Sequence, residues 1–186
     1  MSVKFTQVKD KIERKQIREL YNQIVAPHEK SYFYLLWWKR NRKNVSFLNI
    51  YDKEKWVGWI FYSEHGDLIK ITLFATIDHF TTKQYGNEMF DELKRLYPNY
   101  RIVMGVEIEN PDGKNKEKAI EAHHFYKTNG FGSTKYFIVR DGDSFEFMVY
   151  GGNFKIEEHY AIDKELYPLI GKSLVKSMEK QIQIRQ

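Results

Sequence analysis

The chain contains no cysteine among its 186 residues. This absence excludes disulfide bonds, thiolate metal sites and a cysteine nucleophile, so covalent or redox chemistry would need a cofactor or another residue type. His123 and His124 are the one suggestive pair of metal ligands, but adjacent residues of a helix point about 100° apart. They form a poor chelating pair, and we expect no metal site.

Long apolar runs are also missing. No stretch of about eighteen or more apolar residues occurs, and the first ten residues are charged, unlike a signal peptide. We therefore expect neither a membrane span nor secretion, and the cytoplasm is the default location. Internal repeats and low-complexity linkers are absent as well, which favours one domain over an array.

Charge of one sign does not dominate. The 30 basic and 25 acidic residues are mixed along most of the chain, so the net charge of +5 favours an anionic partner only mildly. The strongest local concentration of basic residues is Trp37–Lys43, WWKRNRK, which could bind nucleic acid or an acidic surface. A helix end with buried tryptophans and a solvated charge run explains it better, because the pattern does not recur. Nucleic acid is not the expected partner.

What the chain does have is enough apolar material for a core, with 42% hydrophobic and 16% aromatic residues. One stretch, Ile69–Leu93, organises the rest. Its apolar residues first alternate, as in a strand, and after a turn containing Gly86 they recur every three or four residues, as in a helix. A turn that feeds a helix in this way presents backbone N–H groups that can hold a phosphate.

Similar patterns along the chain predict an α/β fold with a central mixed sheet of about seven strands flanked by helices. In chain order the patterns predict a strand, two helices, three strands, a helix, a strand, a helix and a two-stranded hairpin. An additional helix is expected over Asp163–Ile182. We assign residues 1–150 to the domain and residues 151–186 to a helical extension packed on it.

This order resembles the GNAT superfamily of acyl-CoA-dependent N-acetyltransferases over about Val3–Tyr150, and two motifs carry the resemblance. One is the family's pyrophosphate loop, which here reads Lys83, Gln84, Tyr85, Gly86, Asn87 and Glu88. The other is a helix with an aromatic–tyrosine pair and a Gly–Phe end, which here reads Ala122, Phe125, Tyr126, Gly130 and Phe131. The second match is the more specific of the two.

The resemblance implies acetyl-CoA as co-substrate. Its pantetheine arm would lie along a strand edge formed by Phe74, Ala75, Thr76 and Ile77, and its pyrophosphate would lie against the backbone amides of Lys83 to Glu88. Glu88 stands where the family has a small residue, and we place it in the first turn of the helix, where its charge would oppose the phosphates. We expect weakened binding of the co-substrate rather than none.

The resemblance also implies the catalytic groups. Tyr126 would protonate the departing thiolate. The base that deprotonates the amine would be Glu107 or Glu109, which share one face of a strand, acting through water.

Other residues stay open as bases or acceptor contacts. His28, Glu29 and Tyr32 fall in the segment that walls the acceptor side in the family, and Asp78 and His79 lie at the other strand end. The acceptor is an unidentified primary amine on a small molecule or a peptide. Two functions remain, an acetyltransferase and a binding or regulatory protein with a degenerate coenzyme A loop, and a nucleic-acid-binding module ranks third. The sequence does not decide between a monomer and a homodimer.

Overall fold

The structure is a computed structural model that describes residues 3–24, 32–78, 83–108, 116–140, 143–166 and 182–184. These residues form five helices and eight strands. In chain order the elements are β1 (Val3–Gln7), α1 (Lys11–Ile24), α2 (Tyr32–Lys39), β2 (Val45–Asp52), β3 (Lys55–His65), β4 (Leu68–Thr76), α3 (Gln84–Leu96), β5 (Arg101–Glu107), α4 (Lys116–Thr128), β6 (Gly132–Arg140), β7 (Asp143–Tyr150), α5 (Ile156–Leu166) and β8 (Ile182–Ile184).

The order of the elements agrees with the sequence prediction up to Tyr150. Helix α5 begins at Ile156, before the start predicted at Asp163. Ile182, the predicted helix end, lies in the short strand β8 that pairs antiparallel with β6. The helical spacing after Asp163 falls mostly on residues 167–181, outside the described residues.

One structural unit comprises Met1–Ser63 and Ile71–Pro98. Its strands follow the order β1-β2-β3-β4, and β1 and β2 pair antiparallel, as do β2 and β3. Helices α1 and α2 cover one face of this sheet because each has an apolar stripe at helical spacing. The buried side chains that meet there are Ile17, Leu20, Tyr21, Phe33, Leu36, Phe47, Trp59, Phe61 and Ala75.

Helix α1 begins with a capping box in a slightly shifted form. The Asp10 carboxylate accepts the backbone N–H groups of Ile12 (2.8 Å) and Glu13 (2.9 Å). The Glu13 carboxylate reaches back to the N–H of Lys9 (2.6 Å), one residue before the position of the standard motif. Asp10 and Glu13 thus define where α1 starts.

The two faces of strand β4 pack against different helices of the first unit. Ala75 points into the core below α1 and α2, so its neighbour Phe74 points to the opposite face, since side chains alternate along a strand. There the ring of Phe74 packs against Phe90 of α3, with the ring centroids 5.5 Å apart. The other end of α3 is tied to β3 by a 2.8 Å hydrogen bond between the hydroxyls of Tyr62 and Tyr97.

Strands β3 and β4 approach each other unusually closely at Gly58. A Cβ atom built there would lie 2.2 Å from the carbonyl oxygen of Ala75 and 3.0 Å from the Cα of Thr76. No side chain fits at this point because both obstructing groups are backbone. Position 58 therefore requires glycine for space rather than for its backbone angles.

The second unit comprises Glu64–Lys70 and Asn99–Gln186, with the strand order β5-β7-β6-β8. Arg101, the first residue of β5, joins separate parts of it. Its guanidinium bonds the Asp67 carboxylate (2.5 and 3.0 Å) and the Glu158 carboxylate (2.7 and 3.0 Å). These bonds raise the pKa of Arg101 and lower the pKa values of Asp67 and Glu158. The turn before β4 and the first turn of α5 are therefore held by one cation.

A second polar cluster of this unit is buried. The ammonium of Lys70 pairs with the Asp163 carboxylate, whose other oxygen lies 3.4 Å from Nε2 of His159. The His159 ring also packs on Phe147, with the centroids 4.8 Å apart. Burial, with a further contribution from the positive charge of Lys70, lowers the pKa of His159 to about 3. The folded chain thus keeps His159 neutral at every pH at which it is expected to work.

Replacing Gly58 with alanine is expected to lower the free energy of unfolding by about 1–3 kcal/mol, because β3 and β4 must separate to admit the methyl group. Chemical denaturation followed by circular dichroism measures the change. Gly105→Ala is the matched control, since a Cβ in that strand position meets nothing closer than the Cβ of Phe145 at 3.7 Å. Equal stability of the Gly58 and Gly105 variants would contradict the assigned packing.

His159 predicts a loss of stability in acid. The unfolded chain protonates this side chain near pH 6.5, whereas the folded chain resists protonation down to about 3. The contribution of His159 to the free energy of unfolding is therefore complete above pH 6.5. It declines as the pH falls towards 3, by an amount on the order of a few kcal/mol. Denaturation across this range should show a shallower pH dependence for His159→Gln than for the wild type. His124→Gln, at an exposed position, should follow the wild type.

Candidate functional site

The first part of the candidate site is the end of β4. The strand ends at Thr76, and the N–H of the next residue, Ile77, donates to the carbonyl of Val57 on β3 (2.9 Å). Because successive N–H groups alternate in direction, the N–H of Thr76 faces the edge opposite β3. Ile77 is 44% exposed because it already belongs to the turn.

The second part is the start of α3. Lys83 occupies the N-cap position in the left-handed conformation (φ 55°, ψ 16°), and its side chain makes no capping hydrogen bond. The cap comes instead from Asp78, whose buried carboxylate accepts the N–H of Tyr85 at 2.9 Å. A carboxylate of the chain itself therefore lies at the positive end of the α3 dipole.

Glu88 lies in the second turn of α3, not in the first turn as the sequence suggested, because the helix begins at Gln84. Its Oε1 accepts a hydrogen bond from the side-chain amide of Gln84 at 2.9 Å. A positive charge also lies near the start of α3, since the Lys55 ammonium is 5.7 Å from the centre of the Tyr85 ring. This region thus contains two carboxylates, Asp78 and Glu88, as well as the cations Lys55 and Lys83.

The backbone here fits the pyrophosphate of coenzyme A. An N-cap residue without a side-chain cap leaves the helix start open to an outside anion, and the buried Gly86 in the first turn presents no side chain. One feature opposes this fit, since the Tyr85 N–H is held by Asp78. An arriving phosphate would have to share that amide with Asp78 or displace it.

Tyr126 lies in the second half of α4. Its ring contacts Phe125 and Phe131, with centroid distances of 5.2 and 6.1 Å, and burial raises the pKa of its hydroxyl above the ordinary value of 10.0. The helix stops as predicted at Gly130, whose φ of 83° is left-handed, and Phe131 then turns back to donate its N–H to the Tyr126 carbonyl (3.0 Å). The Gly–Phe end of the motif therefore helps to enclose the tyrosine.

The remaining predicted residues are less well placed. Glu107 is the half-buried last residue of β5, opposite Phe145 of β7, and Tyr32 is the first residue of α2. Glu109, His28, Glu29 and His79 lie outside the described residues. The structure brings Phe74–Ile77 and Lys83–Glu88 together in the first unit, whereas Glu107 and Tyr126 belong to the second.

Sequence reasoning missed two features. Asp78 was considered only as an alternative base, and no spacing rule connects a carboxylate to a helix whose N-cap lies five residues later. Glu146 of β7 is buried with one carboxylate oxygen 3.7 Å from Nδ1 of His123, a pair that no local motif indicates.

The described part of the chain contains no group of three His, Asp or Glu residues that could hold a metal ion. Among the helices that the structure describes, none is long and apolar enough to cross a membrane.

Comparison with solved structures places these elements in a class. The chain has the mixed α/β fold of the GNAT acetyltransferases, as its sequence motifs predicted. A protein of Bacteroides thetaiotaomicron assigned to this family as an acetyltransferase is 22% identical, with a TM-score of 0.64 over 90% of this chain and 97% of that one.

Two further structures with this fold are named enzymes. An aminoglycoside 6'-N-acetyltransferase complexed with coenzyme A is 10% identical, with a TM-score of 0.58 over 80% of this chain and 96% of the other. The ribosomal-protein-S18-alanine N-acetyltransferase from Escherichia coli is 11% identical, with a TM-score of 0.54 over 80% and 92%. No protein-family model and no curated protein matches the chain. The similarity therefore establishes the fold, whereas the reaction has to be inferred from the residues of the candidate site.

Proposed function

We propose that the protein is an N-acetyltransferase that transfers an acetyl group from acetyl-CoA to a primary amine. The observation that carries the proposal is Tyr126, a tyrosine kept protonated by burial, at the motif position that the GNAT resemblance gives to the catalytic acid. The shared fold supports acetyl transfer in general, and structures with this fold include one complexed with coenzyme A.

The co-substrate would be held by the first unit. The amides of Lys83 to Asn87 at the start of α3 would bind the pyrophosphate, with Lys83 adding positive charge. The edge of β4 from Phe74 to Ile77 would bind the pantetheine arm, and a backbone N–H there would stabilise the oxyanion. Acetyl-CoA, when bound, supplies the thioester whose acetyl group is transferred.

Tyr126 would donate its proton to the leaving sulfur. A hydroxyl with a pKa above 10 stays protonated at neutral pH, so it can give a hydrogen bond, and then a proton, to a thiolate as negative charge develops. Because burial makes the tyrosine a weaker acid, its hydrogen bond to the sulfur would come first, and proton transfer would follow only as negative charge accumulates on the sulfur.

The amine must lose a proton. Glu107 or Glu109 would accept it through a water molecule, and His28, Glu29 and Tyr32 would contact the acceptor. The similar structures act on an aminoglycoside and on the alanine of a ribosomal protein, so amines on small molecules and on peptides are both reasonable acceptors to test.

Tyr126→Phe should lower kcat by about ten- to a thousandfold while leaving acetyl-CoA affinity nearly unchanged, because only the proton donor is removed. Release of free thiol from acetyl-CoA, in the presence of a panel of polyamines, aminoglycosides and short peptides, measures turnover, and calorimetry measures affinity. Tyr136→Phe is the matched control at a half-buried tyrosine of β6. Unchanged turnover in Tyr126→Phe would leave the tyrosine as a core residue only.

The same assay separates the two candidate bases. Glu107→Gln or Glu109→Gln should shift the acid limb of the pH–rate profile if that residue is the base, whereas a bystander would only scale the rate. If none of the amines raises thiol release above the rate without acceptor, the proposal of acetyl transfer to these amine classes fails.

A binding or regulatory protein with the same fold is the second candidate, and Asp78 favours it. Its carboxylate holds the Tyr85 N–H, which the phosphate-binding interpretation needs for an anion, and Glu88 adds a further negative charge nearby. If these charges prevent binding of acetyl-CoA, the fold remains but the reaction cannot proceed. The affinity for acetyl-CoA, and not the turnover, therefore distinguishes the binding or regulatory protein from the enzyme.

Asp78→Asn should tighten acetyl-CoA binding by about three- to thirtyfold at low salt. The substitution removes the charge but keeps an oxygen that can cap Tyr85. Glu88→Gln should act in the same direction, less strongly, because this side chain is partly exposed and screened. Asp91→Asn, on an exposed position of α3, is the control for charge alone. Absence of binding by the wild type and by both variants would favour the non-enzymatic candidate.

A further inference from the structure

The outer side of α2 carries exposed aromatic rings. Phe33 and Leu36 are buried, whereas Tyr34 is 51% and Trp38 60% exposed. Tyr34 and Trp38 are four residues apart, so the two rings are neighbours on one face of the helix. The sequence favoured a helix end with buried tryptophans here, and for Trp38 the structure shows the opposite.

Arginine side chains lie against these rings. The guanidinium of Arg18 lies 5.3 Å from the centre of the Tyr34 ring, and that of Arg42 lies 5.5 Å from the centre of the Trp38 ring. In these cation–π contacts the guanidinium lies over one face of each ring, so a base would stack on the opposite face.

Trp37, which is half-buried, has two such neighbours. Arg14 lies at 4.6 Å and Arg40 at 4.1 Å from its ring. Arg40 is fixed further by a 2.6 Å hydrogen bond to the Trp37 carbonyl. We call these seven residues the aromatic–arginine surface: Arg14, Arg18, Tyr34, Trp37, Trp38, Arg40 and Arg42.

The surroundings are basic. Helix α1 and residues 40–43 together contain seven Lys or Arg residues and two Glu residues. Both glutamates are engaged locally, since Glu13 caps α1 and accepts the Tyr51 hydroxyl (3.0 Å), and Glu19 lies 3.8 Å from Lys15. In the ion pairs found among the described residues, no carboxylate pairs with Arg14, Arg18 or Arg40. Positive charge therefore predominates on this side of the first unit.

We propose that the aromatic–arginine surface binds single-stranded nucleic acid. Exposed Tyr and Trp rings one helical turn apart can stack on unpaired bases, and the adjacent guanidinium groups can bond to the phosphates between them. The proposal goes beyond acetyl transfer and does not depend on it, because no residue of the surface belongs to the candidate site.

The composition of this surface distinguishes it from a surface that binds a membrane and from a surface that binds an acidic peptide. A membrane-binding helix exposes a continuous apolar face, whereas here each exposed ring has a cation beside it. An acidic peptide would be bound by the charges alone and would leave the exposed rings without a role. Unpaired bases use both the rings and the charges.

Fluorescence anisotropy with a labelled RNA of about 12 nucleotides, the DNA of the same sequence and the corresponding duplex tests the proposal. The full-length protein is expected to bind both single strands with a Kd of about 1–100 µM at low salt, and the duplex more weakly. Tyr34→Leu/Trp38→Leu should weaken single-strand binding by about tenfold or more. Binding should also quench tryptophan fluorescence, less so in Trp38→Leu.

Arg18→Gln/Arg42→Gln should weaken binding and lower the slope of log Kd against log salt by about 1.4, that is about 0.7 for each phosphate that is no longer neutralised. Lys118→Gln/Lys164→Gln removes the same charge at exposed positions of α4 and α5 and should bind like the wild type. Because the rings are exposed, their removal leaves no core cavity, and thermal unfolding verifies that each variant is folded.

Three results would overturn the proposal. One is no binding of either single strand at the lowest salt. Another is equal affinity of the ring variant and the lysine control, which would make the binding a matter of net charge. The last is preference for phosphatidylserine vesicles or polyglutamate over the oligonucleotides, which would assign the surface to a membrane or an acidic protein.

Discussion

The close approach of β3 and β4 at Gly58 is the constraint on which the first unit depends. Because no side chain separates Gly58 from the Ala75 carbonyl, β4 is fixed against β3 along its last residues. That contact places Ala75 in the core below α1 and α2, with Phe74 against α3 on the other face. Strand β4 ends one residue after Ala75, at Thr76, where the turn towards α3 begins. The candidate co-substrate site is built on that turn.

Local sequence patterns predicted an element well where residues within or next to that element determine its bounds. The helical spacing of Lys116–Thr128, closed by Asn129 and the left-handed Gly130, gave the correct bounds of α4. The same reasoning missed the start of α5, because the buried stripe of this helix begins at Ile156 and includes His159, a histidine that an apolar pattern overlooks. Pairing partners of a short strand such as β8 lie far away in sequence, so its three residues gave no signal.

The candidate site was predictable in its residues but not in its electrostatics. Motif spacing located Tyr126 and the loop at Gly86, since both are local sequence features. Burial of the tyrosine, which raises its pKa, depends on Phe131 and on packing that no spacing rule contains. The Asp78 cap depends on a chain reversal between β4 and α3, so it became visible only in three dimensions.

Helix α3 is held at both ends. Tyr97, just after the helix, bonds to Tyr62 of β3, and Asp78 holds the first turn through Tyr85. Both contacts oppose a sliding of the helix towards an anion. In the proposed enzyme, accommodation of the pyrophosphate would fall to the Asp78 side chain alone. Its departure from Tyr85 would then be a step on the path of association, so this contact would govern how fast the co-substrate enters as well as how tightly it is held.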